Sequence, residues 1–206
     1  MIIKSRDPVE NGMDGHELTW YMHELMMHGL GVSRDFEQLQ AALADPETRQ
    51  TRIVWFHLTG FLSHAAMISK YLSPINPSGV KQVRMNALRS KLSVDDSSDI
   101  LPRNARDNVE HFDERIDNWV GQEGQTILEI VLDDRSGYQY LRADQKRLKR
   151  VLLEKEMIFI SENRDGSKLE LRLHPLADES LRIADEAEKW VTNESPYHFI
   201  YPQRGS

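Results

Sequence analysis

From Ile53 to Ser69 the chain runs seventeen residues without an Asp, Glu, Lys or Arg. As a helix, that length approaches the roughly 18 apolar residues of a membrane span. His57, Thr59, Gly60, Ser63 and His64 interrupt it, however, and its flanks carry neither an aromatic belt nor a basic anchor. The stretch is therefore expected to form a central core helix, over about 47–72, touched by neighbours on several sides.

A chain of 206 residues, 39% of them hydrophobic, is long enough for one large domain, or a domain with an appendage, around a true core. It has no cysteine, so neither disulfides nor thiolate metal sites are available. The amino-terminal residues MIIKSRDPVENG lack the apolar run of a signal peptide, and a cytoplasmic, non-membrane protein is expected. A net charge of -7 weighs against a general nucleic-acid binder, which usually has a basic surface, but leaves room for a nuclease with a small basic cleft.

Around the central stretch the pattern is helical for about 120 residues. Leu18, Tyr21, Met22, Leu25 and Met26 predict a helix over about 15–28 with Asp14 as its cap, ended by Gly29 and Gly31. Ser33 then caps a short helix through Phe36, Leu39, Ala42 and Leu43, which Asp45-Pro46 breaks. Pro74, Pro77 and Gly79 form a firm break before a helix over about 80–92. After Gly121 the pattern changes. Residues 126–132, 157–161 and 169–173 are strand-like, the last two flanking a hairpin turn at 163–166. Residues 144–156 fit a basic helix or a strand with a turn. A helix over 177–191 follows, with an edge strand at 197–201. The expected fold class is α+β, mainly α: a helical bundle over 1–122 and a small extension with a β-hairpin over 123–206.

The stretch from Pro102 to Val120 carries the chemistry. Ala105, Val109, Phe112, Ile116, Trp119 and Val120 form one apolar stripe at helical spacing, and the remaining residues are charged or amide-bearing, or Pro102 at its head. Arg106, Asp107 and, five residues after the arginine, His111 stand off the stripe. Arg-polar-xxx-His at the head of the last helix of a small bundle resembles the motif of the HEPN superfamily, and the run RDNVEHFDERID is similar to uncharacterised bacterial proteins of that type. The resemblance implies a HEPN-like bundle and a homodimer, in which two such helices pool their arginines and histidines in a cleft. It further implies metal-independent RNA cleavage of a toxin or phage-defence kind, with a cognate antitoxin or regulatory protein as a partner. His111 would move the proton of the attacking 2′-hydroxyl and Arg106 would neutralise the phosphoryl oxygens; Asp107 would orient the imidazole, with Glu110 or Asn108 contributing less. No cofactor or metal is implied.

Read from the residues alone, Arg106 and His111 are about 140° apart around a helix and do not converge within it. Arg106 with Glu110, Asp107 with His111, and His111 with Arg115 are each spaced as surface pairs, and Glu110, Asp113, Glu114 and Asp117 crowd the same helix. The competing expectation is a non-catalytic HEPN-fold protein acting as a dimeric binding or regulatory module. A second nucleic-acid candidate is the basic run Lys146, Arg147, Lys149 and Arg150. His23 and His28 are five apart, not the four of a zinc-protease helix, so no metal site is expected there. His57 and His64, seven apart, share a face and are expected as hydrogen-bonded core histidines, or as the lining of a dimer cleft facing His111.

Overall fold

In the computed structural model, which describes residues 12–100, 102, 105–106, 109, 111–120, 127–141, 147–163 and 165–196, Asp14 opens the first helix with a capping box. Its carboxylate accepts the Glu17 N–H at 2.9 Å, and the Glu17 carboxylate accepts the Asp14 N–H at 3.2 Å, which satisfies two of the helix's free donors. Helix α1 then runs unbroken from Gly15 to Ala44. This corrects the expectation of two helices divided at Gly29 and Gly31. Neither glycine takes the left-handed conformation that ends helices. Their absent side chains serve packing instead: a Cβ at Gly29 would lie 2.1 Å from the Ala184 Cβ, and one at Gly31 would lie 2.4 Å from the His64 ring.

Thr51 caps helix α2, Arg52–Leu72. Val54, Trp55, Leu58, Phe61, Leu62, Ala65, Ala66 and Ile68 are buried, more than one face of a helix can supply, as expected of a central element. Among the described residues no helix is long and apolar enough to cross a membrane. Helix α3, Val80–Lys91, packs beside the second half of α2. The motif stretch is not one straight helix. The backbone is helical at Ala105, Arg106 and Val109, turns at His111, and continues as α4, Phe112–Val120. The turn divides the apolar stripe between two destinations: Ala105 and Val109 join the core of the helices, whereas the Trp119 indole donates to Glu162 on the sheet at 3.1 Å. Val120, on the same stripe, is left 79% exposed.

A four-stranded sheet follows: β1 Ile127–Leu132, β2 Leu148–Leu153, β3 Ile158–Glu162 and β4 Lys168–Arg172, in spatial order β1-β2-β3-β4. The short helix α5, Arg135–Tyr140, falls between β1 and β2, which pair in parallel; the other two pairings are antiparallel. Parallel neighbours need such a crossover, since a tight turn cannot return the chain in the same direction. All six residues of β2 are buried, so the 144–156 segment resolves as strand from Leu148 onward, with 144–146 outside the described residues. Gly166, at φ +82, closes the β3–β4 hairpin at the place the turn residues indicate. The final helix α6, Leu173–Asn193, starts directly from β4 with Pro175 in its first turn, earlier than the 177 expected. The edge strand expected at 197–201 lies outside the described residues.

The registers Val131↔Leu152↔Phe159↔Leu171 set one sheet face against the helices, while Ile130, Val151 and Ile160 pack with Tyr138 of α5 on the other. Arg49, between α1 and α2, ties the sheet down through ion pairs to Asp133 and Glu154. α6 returns along α1. The main apolar cluster therefore draws on α1, α2, α3, all four strands and α6 alike, crossing from the 1–122 segment into 123–206. The architecture is a mainly helical α+β fold with a small mixed sheet.

Candidate functional site

Arg106 is 1% exposed and, among the described residues, is the largest of the fully buried side chains. Its Nη1 donates to the Ser73 carbonyl at 2.9 Å, at the carboxyl-terminal cap of α2. Burying a guanidinium is costly unless its donors find acceptors, yet its Nε has no hydrogen-bond partner. Arg106 belongs to the wall of a pocket of about 310 Å³ between the end of α2 and the start of α3. Arg84 of α3 shares that wall and behaves in parallel: Nη2 donates to the Lys70 carbonyl at 3.2 Å, its guanidinium stands 5.4 Å from the ring centres of both Tyr21 and Tyr71, and its Nε is buried without a partner.

His111 does not line this pocket. It occupies the turn before α4 with its side chain 55% exposed, and its Nδ1 pairs with Glu114 three residues on, at 3.3 Å. The motif's arginine thus points inward and its histidine outward. Asp107 and Glu110 lie outside the described residues.

Of the basic run, Lys146 lies outside the described residues and Arg147 is exposed. Lys149 and Arg150 are interior residues of β2. Lys149, with its side chain 2% exposed, donates to both Glu162 oxygens at 3.1 and 3.2 Å and stands 5.8 Å from the Trp119 ring. Arg150 pairs with Glu129 at 3.3 Å and lies over Trp55. Burial pulls the Arg150 pKa down to about 10, with Glu129 opposing, so the guanidinium is still charged at neutral pH. The carboxylates that hold these cations stand on neighbouring strands, which a linear basic run does not reveal.

A polar seam crosses the α1–α2 contact. His28 and His64 face each other through their Nδ1 atoms at 3.0 Å, His57 Nδ1 lies 3.3 Å from Asp35, and Asp35 also approaches His64 Nε2 at 3.9 Å. Gly31 and Gly60 make room for it: a Cβ at Gly60 would meet the Asp35 carboxylate at 2.2 Å. His57 and His64 therefore draw their partner from α1, where sequence distance hides it. Among the described residues no three His, Asp or Glu side chains form a set able to hold a metal ion.

The pKa of His28 is lowered, first by burial and then by the neighbouring His64 imidazole, with Glu24 opposing more weakly. A histidine whose folded pKa lies below its unfolded value leaves stability intact above the unfolded value, about 6.5, and loses it as pH falls below that value, because the unfolded chain then binds more protons. Between pH 8 and pH 5 the wild-type protein is thus expected to lose more stability than His28→Gln does. Equal slopes in paired thermal melts across that range would refute the seam as their source.

Comparisons with known proteins add no constraint. No family model, curated protein or solved structure matches this chain.

Proposed function

We propose that this chain is a HEPN-like, dimeric binding or regulatory protein in which the Arg106–His111 motif does not cleave RNA. The observation that supports this most is the separation of the pair: Arg106 is buried and bonded to a main-chain carbonyl of α2, while His111 is exposed and paired with Glu114. General acid–base transfer and charge neutralisation at one phosphate need both groups within hydrogen-bond reach of it. Trp20 and Met27, seven residues apart on α1, are 68% and 63% exposed, and Phe56 on α2 is 72% exposed; apolar side chains of that size in water suit a protein that docks another chain.

The purified protein in EDTA and His111→Ala, given the same single-stranded and hairpin RNAs, are expected to leave them equally intact. Products ending in 2′,3′-cyclic phosphate, formed by the wild type and absent with His111→Ala, would return the chain to the metal-independent endoribonuclease that the motif's resemblance implies. The same measurement on Lys149→Ala adds nothing to either reading, since that ammonium is spent on Glu162.

A further inference from the structure

We infer that two copies of this chain pair through the outer face of the α1–α2 hairpin, each Trp20 packing on the partner's Phe56. The inference rests on the reading of this chain as a dimeric protein and names where the copies meet. Trp20, Met27 and Leu30 on α1 and Ile53 and Phe56 on α2 are all exposed. Helix α1 meets α2 through the stripe of Glu24, His28, Gly31 and Asp35, and α2 meets α1 through His57, Gly60 and His64. At about 100° per residue, Trp20 and Met27 lie within about 70° of the first stripe, and Phe56 and Ile53 within about 70° of the second. Both groups lie on the side of their stripe turned away from the buried residues of the two helices, so they share one face.

The placement of these side chains selects a second copy over an unrelated partner. The two helices run antiparallel, since Asp35 meets His57 while Glu24 meets Tyr71. His28 and His64 touch at 3.0 Å; Trp20 stands eight residues before the first and Phe56 eight residues before the second. In antiparallel helices those steps run in opposite directions, so the two rings stand about 12 Å to either side of the His28–His64 contact. A two-fold axis through that contact, lying in the plane of the face, exchanges the two places. It lays Trp20 on the partner's Phe56 and Phe56 on the partner's Trp20, the reciprocity that a closed dimer interface requires. Glu24 and Arg34 are exposed four residues before and six after His28. The same rotation carries Glu24 toward the partner's Arg34, so that opposite charges meet.

The size of the face meets what a stable dimer needs. Helix α2 has 21 residues, a length of about 30 Å, and two helices side by side are about 20 Å wide. The footprint is therefore roughly 600 Å² on each copy, and larger as accessible surface because side chains project; a standard interface buries about 800 Å² per partner. Its chemistry is that of an interface, with aromatic and methionine anchors and charged residues beside them. Tryptophan is among the side chains whose truncation weakens association most, and a Trp20 ring packed on Phe56 gains the attraction of an aromatic pair.

Sedimentation equilibrium of the full chain is expected to give twice its mass of 23.9 kDa. Trp20→Gln and Phe56→Gln, at exposed positions that leave the fold alone, are each expected to raise the dimer dissociation constant about a hundredfold, because each removes its contact twice. Tyr140→Gln, equally exposed but on α5, is expected to leave it unchanged. The chain has no cysteine, which permits a direct test of the pairing. Trp20→Cys mixed with Phe56→Cys is expected to cross-link through a short bis-maleimide. Neither variant alone is expected to do so, since the two copies of one position stand about 24 Å apart across the axis. A chain that is monomeric at about 100 μM leaves the face to a different protein and overturns the inference. A dimer that both Gln variants leave intact, or Trp20→Cys cross-linked to itself, overturns it as well. These outcomes are distinct from those for the motif. A dimer indifferent to the Gln variants removes this face and keeps the dimeric reading, whereas RNA cleavage lost in His111→Ala removes the non-catalytic reading and leaves the interface standing.

Discussion

Glu162→Gln is expected to lower the unfolding free energy by about 3–5 kcal/mol, the usual cost of breaking a buried ion pair from one side. The substitution keeps the shape of the side chain and removes only its charge. Glu162 is the hub of the sheet's second face: it accepts from Lys149 through both oxygens, from Lys168 at 3.3 Å and from the Trp119 indole at 3.1 Å. Without the carboxylate, an ammonium 2% exposed is held in the interior facing a neutral amide. The reverse substitution is gentler. Lys149→Met leaves Glu162 with Lys168 and Trp119, and about 1 kcal/mol is expected. Urea unfolding of the two variants measures the asymmetry. A loss below about 1 kcal/mol in Glu162→Gln would mean that the pair is solvated and that β2 is not the buried strand described above.

Gly29→Val is expected to cost about 2–3 kcal/mol, as over-packing at a close contact does. Replacing a mid-helix glycine would ordinarily stabilise an exposed helix by several tenths to about 1 kcal/mol, so the sign of the effect separates packing from propensity. At Gly29 the new Cβ would meet Ala184 at 2.1 Å, and the two helices carrying them, α1 and α6, must move apart. Gly31→Ala is the contrast. Its obstacle is the His64 ring at 2.4 Å, the end of a side chain that can swing aside at the expense of its bond to His28. In thermal melts Gly29→Ala is expected to be partly rescued by Ala184→Gly, since the two changes exchange one methyl across the same contact. A Gly29→Val protein as stable as the wild type would refute the close approach of α1 and α6.

The elements legible in the sequence were those whose signals are local. The apolar period of α2 and α3, the Asp14 cap, and the turn at Asn163–Gly166 all act within a few residues of themselves. The Thr51 cap, which starts α2 at Arg52 and not at the 47 expected, was missed. Gly29 and Gly31 misled because glycine has two uses, a left-handed helix end and a close approach, and the neighbours that choose between them, Ala184 and His64, lie far along the chain. Helix α5 was missed for a related reason: six residues are too few to show a period, and Asp134 caps it through the N–H groups of Ser136 and Gly137.

For the candidate site, the sequence by itself determined the residue types: an arginine and a histidine five apart on a polar background, a basic run, and paired histidines on an apolar helix. It also determined the mainly helical α+β composition, because hydrophobic period and turn chemistry are properties of adjacent residues. The tertiary structure decided which of those charges face water. Arg106 turns inward to the end of α2, Lys149 and Arg150 find carboxylates on the strands beside them, and His57 and His64 find Asp35 on α1. The role of a charged group depends on its solvation and on its partners across space, and both are set by contacts between segments up to dozens of residues apart.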